Sequence, residues 1–250
     1  MPNPSNEEPI KAVVFDDATE KAIAKVDATL DRLQEAHFWL HKLEQHYHDA
    51  NEFRWHLNSF LKAIKEVPQL LRMELQNEEG FKIWFSSRSE ELSKDALLST
   101  LSKNRDFVVH RGMLVPTSSA FLGVTEGRGL KLGVKFPLHP LEDSDAGIQR
   151  YLGVIKEKTD VLGLLIEDED SLPCVAREWR LSEFEKEVLD VCAEAWLKTA
   201  KVLEDTVRWL GGKVPALSLD CRHSSQEVRF KLYSRKDLRE QLAALSSSGR

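Results

Sequence analysis

The chain has 250 residues, 42% of them hydrophobic and 30% charged, the balance of a soluble globular protein long enough to bury a core without staples. Its formal net charge of -6 does not suit a protein that coats nucleic acid by neutralising phosphates everywhere, but it leaves room for one local basic cleft. Three cysteines, Cys174, Cys192 and Cys221, form no CxxC pair, which argues against a disulfide framework or zinc knuckle and for a reducing cytoplasm.

Residues 1–17 lack a basic stretch followed by an apolar run, so they read as a disordered leader and not a signal peptide. No apolar stretch is long enough to span a membrane. From Ala18 to His48 the apolar residues Ile23, Val26, Leu30, Leu33, Leu40 and Leu43 recur at helical spacing without proline or glycine, which predicts one long helix. Asp49-Ala50-Asn51 reads as a break, with Asn51 as N-cap of a second helix, Glu52 to Gln76. Its stripe is Phe53, Leu57, Phe60, Leu61, Ile64, Val67, Leu71 and Leu75, and Pro68 within it should kink the helix.

Phe81 to Phe85 suggests a short helix around Trp84. Ser93 to His110 is the third long helix, closed by Gly112. The character then changes. Gly123, Gly127, Gly129 and Gly133 punctuate short apolar runs, predicting strands at Ala120 to Thr125 and Leu130 to Phe136 joined at Glu126-Gly127. Leu141 to Glu183 is acidic, and its EDED run at 167–170 reads as a solvated loop. A fourth long helix is expected from Leu181 to Trp209, with Ser182 and Glu185 as a capping box and Gly211-Gly212 as its stop. The mildly basic tail suggests a strand at Glu227 to Tyr233 and a helix at Arg235 to Leu245.

The expected architecture is mainly α: an up-and-down helical bundle with a small β-hairpin insertion between the third and fourth long helices. The chain divides into a helical core at 18–112, a glycine-rich and acidic insertion at 113–180, a last bundle helix at 181–212 and a basic extension at 213–250.

The residues best suited to chemistry close the third helix: Asn104-Arg105-Asp106-Phe107-Val108-Val109-His110, followed by Arg111. Arginine presents a planar fork of donors to a phosphate. Histidine titrates near neutrality and can move protons. Asp106 precedes His110 by four residues, close enough along a helix to orient it. Arg105 and His110 are five apart and diverge by about 140° on a regular helix. To meet on one phosphate, either the helix must unwind near His110 or two chains must share the site. The bland alternative is that Arg105 pairs with nearby carboxylates and His110 caps the helix.

This Arg-x4-His pattern, with a polar residue after the arginine and the paired helices AHFWLHKLEQHYHDANEFRWHLNSFLKAIKEV before it, resembles the HEPN (higher eukaryotes and prokaryotes nucleotide-binding) domains. The resemblance covers Ala18 to Gly112. The family more often has asparagine where this chain has Asp106. The resemblance implies a HEPN-like bundle, a homodimer whose two motifs share one groove, and RNA or a nucleotide as ligand. It further implies metal-independent endoribonuclease activity of toxin or defence type through Arg105, Asp106 and His110, with Asn104 and Arg111 touching RNA. Two readings stand beside it: a non-catalytic module that binds nucleotide, RNA or protein through the same cleft, and a purely structural dimerisation unit.

Other patterns read as structural. His37 and His41 have the i, i+4 spacing of zinc ligands on helices, with Glu44 as an oxygen donor and His48 beyond. Without an HExxH pattern or a further identifiable ligand, they read as the polar border of an amphipathic helix, and no metal or cofactor is expected. The aromatic residues Phe38, Trp39, Tyr47, Phe53, Trp55, Phe60, Trp84 and Phe85 sit at core spacing, which favours packing over base stacking.

Overall fold

The computed structural model describes residues 15–110, 113–126, 129–136, 138–157, 172–213, 223–238, 240 and 243. The expected leader up to residue 14, Gly112, the turn at Gly127, the EDED run at 167–170 and most of the expected terminal helix beyond 238 lie outside them.

The long first helix is two helices, α1 (Asp17–Ala24) and α2 (Asp27–Gln45). The break at Lys25-Val26 has no glycine or proline to announce it. It is made by a distant residue: the Glu74 carboxylate takes the N–H groups of Ala28 (2.8 Å) and Thr29 (3.1 Å), satisfying donors that a new helix start exposes. Helix α3 (Ala50–Leu75) follows. Asp49, not Asn51, is its N-cap, and Asp143 accepts the Ala50 N–H at 2.7 Å. Every residue of the stripe read on this helix is buried. Pro68 lies inside α3 and has no N–H to give the Ile64 carbonyl.

Gly80, at φ 78, precedes α4 (Phe81–Lys94), which is much longer than the short piece expected. Helix α5 (Ala96–His110) begins where Asp95 accepts the Leu98 N–H at 3.0 Å. Strands β1 (Thr117–Glu126) and β2 (Gly129–Phe136) pair antiparallel. The acidic stretch after them contains two unexpected elements, α6 (Ser144–Glu157) and β3 (Leu172–Arg180). Helix α7 (Val188–Trp209) starts seven residues later than read. The expected capping box does not form, because Ser182 donates to Glu183 at 2.8 Å and Glu187 is the N-cap, accepting the Leu189 N–H. Gly211, at φ 93, follows the end of α7. A single helical turn α8 (Ser225–Val228) leads to β4 (Phe230–Leu232).

The protein is mainly helical with a small antiparallel sheet. The hairpin is half of that sheet, whose strand order is β2-β1-β3-β4. Helix α2 packs along α3, and α7 packs on both, while α5 packs on α3 and α7. The large core lies among these helices and includes Leu40, Phe53, Phe60, Leu71, Cys192 and Trp179. A smaller core, with Ala120, Leu122, Leu138, Ile148, Val175 and Leu238, lies under the sheet. No described helix is long and apolar enough to cross a membrane.

The two cores meet at β3. The Trp179 ring stacks on Phe53 with centroids 4.6 Å apart, and its indole N–H donates to the Tyr47 carbonyl at 2.8 Å. The Arg177 guanidinium, fully buried, lies 3.7 Å over the Trp179 ring and donates to Ser118 Oγ at 3.1 Å. Tyr47 donates its hydroxyl toward both the Arg177 carbonyl and Glu187 Oε1, each at 3.0 Å. His48 sits across the same seam, with Nδ1 2.8 Å from Ser144 Oγ and Nε2 2.9 Å from the Val228 carbonyl. A carbonyl only accepts, so Nε2 carries the proton and Nδ1 accepts from Ser144.

Candidate functional site

Packing of α5 against α3 sets the position of the Arg-x4-His motif. Asn104 points inward at 6% exposure, and its Nδ2 has no hydrogen-bond partner among the described residues. Arg105 is largely covered. One terminal nitrogen lies 3.3 Å from Asp106 Oδ1, while its Nε is buried without a partner among the described residues. Asp106 is claimed from the other side by Lys65 of α3, whose ammonium forms an ion pair with the same oxygen and also reaches the Ser102 carbonyl at 3.4 Å. The hydrogen bond from Lys65, aided by Arg105, holds the Asp106 carboxyl below its ordinary range. The carboxylate expected to orient His110 is thus engaged by two cations.

Helix α5 remains helical to His110, so it does not unwind to bring His110 round to Arg105. The His110 side chain and Arg111 lie outside the described residues. The structure joins Arg105, Asp106 and Lys65.

Beside this cluster runs a cleft of about 500 Å³ between α3, α4 and α5. Its floor is apolar, with Leu61, Ile64, Phe85, Leu98 and Leu101. Its rim carries Lys65, Gln69, Arg72, Lys103 and the hydroxyls of Ser89, Ser93, Ser99 and Ser102, with no carboxylate among the lining residues. Arg72 and Lys103 are exposed and form no ion pair among the described residues. The depression continues along α4, where Arg72, Phe85, Ser89 and Ser93 are joined by Lys82, Gln76 and Glu90. Lys65 is already engaged by Asp106, so Arg72 and Lys103 are the cations of this groove that chemistry leaves suited to an anion.

Sequence reasoning missed Lys65, Arg72 and Lys103. The available signal was Lys65, Gln69 and Arg72 at i, i+4 and i+7, a polar row on one side of the α3 stripe. Of the histidines considered as ligands, His48 turns away to Ser144 and Val228, whereas His37 and His41 remain adjacent and are joined by His223.

A family model described as bacteriophage lambda protein ea47 matches residues 19–231. The chain belongs to that family. No curated protein and no solved structure matches it. The family match runs through the helices and the sheet alike, well past Gly112, so the segment after the third long helix is part of what defines the family.

Proposed function

We propose that this member of the ea47 family is a HEPN-like helical module that binds single-stranded RNA in the groove between α3, α4 and α5. The observation that carries this reading is the pair of exposed cations Arg72 and Lys103, which form no ion pair among the described residues, over an apolar floor. Phosphates would meet the cations, and bases would lie against Phe85 and the aliphatic floor, the combination used for sequence-tolerant single-strand binding. Binding is favoured over cleavage because Asp106 is held by Lys65 and Arg105. A two-fold dimer would be needed to complete a nuclease site, and the HEPN resemblance makes that dimer our expectation. We place the protein in a reducing cytoplasm, where the buried free thiols Cys174 and Cys192 persist.

The test is fluorescence anisotropy of a labelled single-stranded RNA with EDTA present, across a salt series. Arg72→Ala combined with Lys103→Ala should weaken binding at least about tenfold and lower the salt slope by about 0.7 per lost phosphate contact. Unchanged affinity and slope would remove the groove from the account. RNA cut without metal by the parent chain, and left whole by His110→Ala, would replace the binding module with the ribonuclease.

A further inference from the structure

We propose that His37, His41 and His223 form a binding site for a zinc-type divalent metal ion that ties the α8–β4 segment to α2. The proposal is independent of the RNA reading. The three rings form a nearly equilateral triangle, with centroids 4.6 Å (His37–His41), 5.0 Å (His37–His223) and 4.6 Å (His41–His223) apart. One ligand nitrogen from each ring lies within 4.8 Å of the other two. The Nε2 atoms of His37 and His223 are 3.0 Å apart. Two nitrogens bound to one tetrahedral zinc at roughly 2.0–2.1 Å stand about 3.3 Å apart. That pair is already within a few tenths of an ångström of ligand spacing, and ring rotation brings in His41.

The surroundings fit a built site. His223 is almost wholly enclosed, at 4% side-chain exposure, and its far nitrogen Nδ1 lies 2.9 Å from Glu44 Oε2. The pair is at ion-pair distance but is not aligned as a hydrogen bond. Glu44 is also 3.5 Å from His41 Nδ1. A carboxylate behind the non-ligating nitrogen is the usual arrangement for fixing the orientation of a metal-bound imidazole. Glu44 therefore acts on the ligands from behind, where the sequence suggested it as a ligand itself. Two residues after His223 the chain is held from α7: Asp190 accepts the Ser225 N–H at 2.9 Å and its hydroxyl at 2.7 Å. Trp196 lies 4.7 Å from the His37 ring and is pinned by donating to the Leu33 carbonyl at 2.9 Å, giving the site an apolar wall. His41 is 47% exposed in its side chain, so the site can be reached from solvent. Three imidazoles suit zinc, nickel or copper and disfavour calcium or magnesium, which prefer oxygen.

The competing account is a metal-free imidazole–imidazole hydrogen bond between His37 and His223. The two are separated by calorimetric titration of the tag-free, EDTA-stripped full chain with Zn2+, and by Co2+ absorption, which reports four-coordinate geometry. We expect one Zn2+ per chain and intense Co2+ ligand-field bands. His223→Ala should weaken binding at least 100-fold and Glu44→Gln between about 10- and 100-fold. His41→Ala removes an exposed ring and will fold, so it serves as the ligand variant if His223→Ala does not. A parent chain that takes up no stoichiometric Zn2+, or a His41→Ala chain that binds it as tightly as the parent, overturns the proposal.

Discussion

Replacing Glu187 with glutamine should change how stability depends on pH. The carboxyl is 8% exposed, and burial pushes it up to about 7 against the pull of three donors, the Leu189 and Trp179 N–H groups and the Tyr47 hydroxyl. An acid whose folded value lies above its ordinary 4.5 binds more protons in the folded chain than in the unfolded one between those limits. Stability from this group is then full below about pH 4.5 and declines until about pH 7, where the loss levels off. A gap of about 2.5 pH units at 1.36 kcal/mol per unit is on the order of 3 kcal/mol. Glutamine resembles the protonated acid and does not titrate. The stability of Glu187→Gln relative to the parent should therefore rise by about 3 kcal/mol from pH 4.5 to pH 8. Urea denaturation followed by tryptophan fluorescence at four or five pH values reads this directly. Parallel curves for the two proteins would refute the reasoning and show that the three donors offset burial completely.

His48 should act in the opposite sense. Burial depresses it from 6.5 to about 4, so it stays neutral in the fold and its contribution, on the order of 3 kcal/mol, is lost as pH falls from about 6.5 toward 4. The same urea series on His48→Gln should show a variant that gains on the parent as pH drops through that window, and no relative gain would count against it. Glu74→Ala removes the cap that starts α2 and should cost about 1–2 kcal/mol, measured by urea denaturation, with Glu74→Gln retaining only part of it because its single amide oxygen cannot replace both carboxylate oxygens at the two N–H groups. Gly212→Ala would place a Cβ 2.8 Å from Val207 Cγ1, 3.1 Å from its carbonyl and 3.2 Å from Ala22 Cβ, so a loss of about 1–3 kcal/mol and a melting temperature several degrees lower are expected by calorimetry.

Much of the helical architecture was legible because apolar periodicity is a local signal. The helix read at Glu52 to Gln76 matches α3 to within two residues at each end, and the glycines after Leu210 mark the end of α7. What was hidden depended on distant partners. The division between α1 and α2 is made by Glu74, and the start of α3 is covered by Asp143, neither visible in a local window. Strand β3 was lost in an acidic stretch, because Arg177 reads as a surface residue although the fold buries it over Trp179. The same holds for the sites. The Arg105–Asp106 pair is contiguous and was read from the chain. Lys65, which engages Asp106, lies 41 residues away. His223, which completes the triad of imidazoles, lies 186 residues from His37.

Strand β3 places Trp179 in the core between the helices and, four residues earlier, Val175 in the core beneath the sheet. One rigid ribbon is thus a wall of both compartments. A chain from which 113–180 were excised would lose the indole that plugs the bundle against Phe53. The segment cannot be treated as a detachable appendage, and the two compartments should melt in a single cooperative step.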